Sequence, residues 1–145
     1  MFEAFEVRED TPRDISRFEQ LWGLGITVSA VIAVGMYDYS AMMVGHFWAI
    51  LINAVLFGMG GALMGFVSRR QSGIARWLVI PFSLLILFYD LSHFTVMLDR
   101  EWIAYLAVAR VGLMVGAIYF LFTPRSRAWL AGTPMPPGGE DEDWG

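Results

Sequence analysis

Cysteine and lysine are both absent from this 145-residue chain. Without thiols there is no disulfide framework, no cysteine nucleophile and no thiolate metal site. Charge is scarce as well: 17% of residues are charged, against about a quarter in soluble domains. The net charge is −4 with no basic stripe, which leaves no electrostatic footprint for nucleic acid. No nucleophile motif, phosphate loop or paired-carboxylate site stands out. What the chain does have is apolar residues, 57% of the total, with a mean hydropathy of +0.53. That composition excludes an ordinary soluble enzyme and a disordered chain, and it describes a small polytopic membrane protein. The length allows one domain.

A bilayer core requires about 20 apolar residues per helix. Four segments qualify: Leu21–Tyr39, Phe47–Val67, Trp77–Leu98 and Ile103–Phe122. The breaks between them, Ser40–His46, Ser68–Arg76 and Asp99–Trp102, are short and polar. Connections this short force neighbouring helices to run antiparallel. The expected fold is therefore all-α, an antiparallel bundle of four transmembrane helices over residues 21–122. Residues 1–20 form a cytoplasmic segment and the start of helix 1. Residues 123–145 form a cytoplasmic tail, disordered from about 133 because it is rich in Pro, Gly and acid.

Orientation follows from arginine placement. The N-terminal segment, the second loop and the C-terminal tail carry Arg8, Arg13, Arg17, Arg69, Arg70, Arg76, Arg125 and Arg127. The opposite side carries only Arg100. Both termini are expected in the cytoplasm. The acidic opening lacks a basic n-region, so the first span reads as a retained helix rather than a cleaved signal. The all-arginine basic set points to a GC-rich genome and a bacterial inner membrane.

Both ends carry helix signals. Thr11-Pro12-Arg13-Asp14 reads as an N-cap, a proline at the first helical position and an acid three residues after the cap. Phe18 and Trp22 mark the interfacial crossing. Thr123-Pro124 ends the fourth span or starts a short surface turn, with Trp129 and Leu130 resting on the headgroups.

Polar residues inside the spans are the informative exceptions, because each is costly in lipid unless satisfied. Asn53 lies six residues inside Phe47, Asp90 eight inside Leu98 and Arg110 seven inside Ile103. At about 1.5 Å per residue, all three sit on the order of 10 Å below the same outer boundary. Asp90 and Arg110 can therefore form an ion pair across an antiparallel helix pair. His46, Asn53 and Gly60 share one helical face, as do Ser83, Asp90 and Met97. Two readings compete. In one, Asp90 and Arg110 neutralise each other and fix helix register. In the other, Asp38, His46, Asn53 and His93 join them to line an outward-facing pocket. The inner half of the bundle holds only Thr27, Ser29 and Ser83, which argues against a continuous ion or proton path.

His46 and His93 lack a haem-ligation motif, and the methionines near them (Met36, Met42, Met43 and Met97) are irregularly spaced for copper. No metal or cofactor is expected. Gly61-x-x-x-Gly65 and Gly112-x-x-x-Gly116 read as helix-packing pairs, serving either contacts within the bundle or a second subunit.

The opening Ile15-Ser16-Arg17-Phe18-Glu19-Gln20-Leu21-Trp22 and the exit Phe122-Thr123-Pro124-Arg125-Ser126-Arg127-Ala128-Trp129-Leu130 resemble those of small, uncharacterised bacterial inner-membrane proteins of four helices. The resemblance implies topology and brings no site residues. The expected role is non-enzymatic: an accessory or structural subunit in the bilayer, associating with itself or with a larger membrane complex. The alternative is a small transporter or ligand-binding protein that uses the outward polar cluster.

Overall fold

The computed structural model describes residues 11–132. Within them run α1 (Arg13–Gly35), α2 (Tyr37–Val44), α3 (His46–Ser68), α4 (Gly73–Leu98), α5 (Glu101–Leu121) and α6 (Pro124–Ala131). The long helices α1, α3, α4 and α5 are the four with the length and hydropathy to cross a membrane. They form an antiparallel bundle in which α1 packs on α5 and α3, and α4 packs on α5 and α3. One end of the bundle carries the start of α1 and α6, and the other carries α2. The expected disorder beyond residue 133 lies outside the described residues, as does everything before residue 11.

Several boundaries differ from expectation. Helix 1 starts one residue late: Pro12 is extended (φ −61°, ψ 149°) and occupies the N-cap, its carbonyl accepting the first ladder bond from Ser16 N–H at 3.1 Å. Thr11 therefore does not cap the helix, and its hydroxyl is buried without a partner. Helix 1 also ends at Gly35 rather than Tyr39, and the expected loop Ser40–His46 is largely the short helix α2. Gly45, at φ 86°, then turns the chain into α3, a conformation that costs glycine little. Helix α4 begins four residues before Trp77, because the Ser72 side chain accepts from Ala75 N–H and caps it there.

The exit from the fourth span also needs correction. Thr123 caps α6 by accepting from Ser126 N–H and donates its own hydroxyl to Asp14 at 2.7 Å. Ser126 donates to Phe120 O at 2.6 Å. These bonds fold α6 back against the bundle, so Trp129 and Leu130 are buried in the core and do not rest on headgroups. Across from them, Gln71 donates to Trp129 O.

The core is divided. Near the start of α1, its Ile15, Phe18 and Trp22 meet Val67 of α3, Val79 and Phe82 of α4, Ala117 and Leu121 of α5, and α6. All four spans contribute there. Near α2, the buried cluster is Ile32, Met36, Met97, Ile103, Ala104 and Ala107. Helix α3 supplies nothing to this second cluster, and in its first half only Ala49 is buried.

Candidate functional site

Glycines determine which helices close on each other. An added Cβ on Gly35 would lie 2.6 Å from the ring of Trp102, so α1 and α5 approach closely near α2. Gly60 lets Ile26 and Phe82 approach α3, each 3.5 Å from where its Cβ would be. At the same level the Trp22 indole donates to Gly60 O at 2.9 Å. On the α6 side of this contact α3 is part of the core. On the α2 side α3 contributes nothing to the buried cluster, and a cavity of about 610 Å³ lies between it and α1, α4 and α5.

The cavity is lined at helical spacing. Helix α1 gives Ile26, Ser29 and Ala33, with Met36 just past its end; α3 gives Ala49, Asn53, Leu56 and Gly60; α4 gives Phe82, Ile86, Tyr89 and His93. Tyr39, Ser40, Met43 and Val44, on and beside the α2 turns, form the roof. Arg110 and Met114 of α5 close the back. Ile52, Leu85 and Phe88 also line the cavity while largely exposed, Phe88 at 70%. They bring the cavity lining to the surface between α3 and α4, as the exposed Met43 and Val44 do at α2.

One polar network lies behind this apolar wall. Arg110 of α5 forms an ion pair with Asp90 of α4 through Nη2, and its Nη1 donates to Ser29 Oγ of α1 at 3.0 Å. Ser29 in turn donates to Gly25 O. Asp90 and Arg110 are 4% and 5% exposed, so the charges are withdrawn from solvent and lipid alike. Two polar atoms, Asp90 Oδ2 and Arg110 Nε, are buried without partners; both belong to this pair. The expected stripe Ser83, Asp90 and Met97 is the buried face of α4.

The proposed pocket residues separate into two groups. Asn53 and His93 line the cavity. Asn53 donates to Ala49 O at 2.8 Å. His93 Nδ1 lies 2.9 Å from Tyr89 O, and its ring stacks on Tyr89 and meets the edge of Tyr39. A carbonyl only accepts, so Nδ1 carries the proton in that bond. Asp38 and His46 are not in the cavity wall. Asp38 is exposed in the first turn of α2, and His46 pairs with the Tyr37 hydroxyl at 2.9 Å. The break at Met36 turns Asp38 onto α2, away from the face of helix 1 that an unbroken helix would have given it. Among the described residues, no three His, Cys, Asp or Glu side chains gather in a metal-binding group.

The expected packing glycines are corrected in part. Gly61 and Gly112 have nothing within 4 Å of an added Cβ, whereas Gly116 meets Leu21 of α1 at 3.2 Å. Gly65 is half-buried, its carbonyl accepting from Arg69 N–H. The tightest helix approach is at Gly35, against Trp102, with Gly116 next, whereas Gly60 meets Ile26 and Phe82 at ordinary contact distance.

Sequence reasoning left two participants out of the site, Ser29 and Tyr89, and missed the role of Arg100 at the end of α1. Ser29 lies six residues from the observed end of helix 1 at Gly35, close to the depth of Arg110. Tyr89 falls one turn before His93 on the same face. Arg100, the lone arginine at the α2 end, donates to Gly35 O and satisfies a carbonyl at the C-terminus of α1.

No protein family, curated protein or solved structure matches the chain. Its fold defines a small polytopic membrane protein of four spans, in contact with the lipid bilayer.

Proposed function

We propose that this is a non-enzymatic binding protein of a bacterial inner membrane, with both termini cytoplasmic, that holds a membrane-dissolved lipophile. The observation that carries the reading is the apolar cavity whose lining reaches the surface between α3 and α4, backed by the Arg110–Ser29–Asp90 network. Its volume is in the range of ordinary ligand pockets, about 300–1,000 Å³, and its few polar groups converge as such sites require. Entry from the bilayer suits a molecule that has already left water.

The test is uptake of a fluorescent apolar probe by the purified protein. Ala33 lines the cavity, and Ala33→Phe fills it. Wild type should bind the probe saturably, and the filled variant should lose that binding at unchanged fold. Equal uptake by both proteins would end the reading.

A second reading, that of an accessory subunit, draws on Gly61 and Gly112. Both leave open space beside the helix backbone, where another helix can approach. A size measurement in detergent, comparing wild type with Gly61→Leu and Gly112→Leu, tests it: the variants should dissociate an oligomer if these faces hold one.

A further inference from the structure

This inference rests on the ligand-binding reading and names the class of ligand. We propose that the cavity takes a neutral lipophile with a flat, carbonyl-bearing ring, of the quinone class, its carbonyl oxygen on Arg110 and its tail leaving between α3 and α4.

Charge comes first. Arg110 and Asp90 are paired with each other, so the site is already neutral. An anionic headgroup would add an unbalanced charge in a low-dielectric region, at high cost. A neutral head adds none.

Hydrogen-bonding capacity comes next. A guanidinium has five donor hydrogens; that of Arg110 has two partners, Ser29 and Asp90. The Asn53 amide donates one of its two hydrogens, to Ala49 O. Arg110 and Asn53 thus keep donors for a ligand acceptor, a role that a carbonyl fills and an ammonium, which only donates, does not. The unpartnered Asp90 Oδ2 is not part of the cavity wall.

Shape completes the argument. Tyr39, Phe57, Phe82, Tyr89 and His93 present rings to the cavity, and Tyr89 and His93 are already stacked with centroids 4.3 Å apart. Aromatic walls favour a flat π-bearing head over a branched aliphatic one. Beyond them the lining reaches the surface at Leu85 and the 70%-exposed Phe88, so an apolar tail can run from the head into lipid without crossing a polar surface.

The experiment is calorimetric titration of the full chain in phosphatidylcholine nanodiscs, with empty nanodiscs as baseline. Three probes carry an unbranched alkyl chain of nine or ten carbons: a decyl-substituted benzoquinone, decylbenzene and decanoate. The quinone should bind at least about tenfold tighter than the other two. The variant Asp90→Leu with Arg110→Met removes the donor while leaving no lone charge; it should lose the quinone's advantage and keep its affinity for decylbenzene. Tyr89→Leu, which leaves the ion pair in place, should weaken the quinone severalfold and decides the matter if the double variant does not fold. Decanoate binding tightest, or a quinone preference that survives both changes, overturns the proposal. Decylbenzene bound as tightly as the quinone, and blocked by Ala33→Phe, removes the quinone class and leaves the lipophile reading standing. No binding of any probe removes both.

Discussion

Trp22 of α1 donates its indole N–H to the carbonyl of Gly60 on α3, 2.9 Å away and in the protein interior. This contact marks where the bundle changes character. Toward α6 the four spans share one core, and toward α2 only α1, α4 and α5 do. The cavity lies between α3 and the helices α1, α4 and α5 on the α2 side of that contact, where α3 is tied to α2 by the Tyr37–His46 bond.

Trp22→Phe keeps the ring against Phe18 and Phe82 but removes the donor. Thermal unfolding in detergent should show a loss of about 1 kcal/mol, the usual worth of one buried hydrogen bond. Hydrogen exchange should rise in α3 more than in α5, because α3 loses this attachment.

The ion pair predicts an asymmetry. Arg110→Leu leaves Asp90 buried without its partner and should destabilise the protein by about 3–5 kcal/mol. Asp90→Leu combined with Arg110→Met should recover most of that loss. In a double-mutant cycle the coupling should exceed about 0.5 kcal/mol; a smaller value would mean the two side chains are independent. Ser29→Ala, which removes the second acceptor, should cost about 1–2 kcal/mol alone.

Glycine substitutions should sort by what faces them. At Gly35 an added Cβ comes within 2.6 Å of Trp102, so Gly35→Ala should lower stability by about 1–2 kcal/mol. Trp102→Ala in the same chain should relieve part of that. Gly60→Ala meets only ordinary contacts at 3.5 Å and should be tolerated.

The orientation reading rests on eight arginines against one. Reporter fusions after Gly145 and within α2 should report opposite compartments, the former cytoplasmic. A C-terminus on the far side would reverse the leaflet into which the cavity opens.

The four spans were legible because length and hydropathy alone distinguish a membrane helix. Counting depth also brought Asp90 and Arg110 to one level, since the ends of α4 and α5 fall where the polar breaks suggest. It missed Ser29 for a specific reason. With helix 1 drawn to Tyr39, Ser29 sits ten residues from its end; the real end at Gly35 brings it level with the pair. Helix α2 is not legible as a separate helix, because eight residues are too few for a clear helical period and its first three fall within the span read as helix 1. The cavity had no local signal at all. It lies between α3 and three other helices, so it depends on how separate elements pack.

The most direct measurement is native mass spectrometry of the protein extracted from the membranes in which it was made. The account predicts that wild type carries a neutral, non-phospholipid adduct of one defined mass and that Ala33→Phe, folded and of the same oligomeric size, carries none. Identical spectra for the two proteins would contradict the claim that the cavity between α3 and α4 is a binding site.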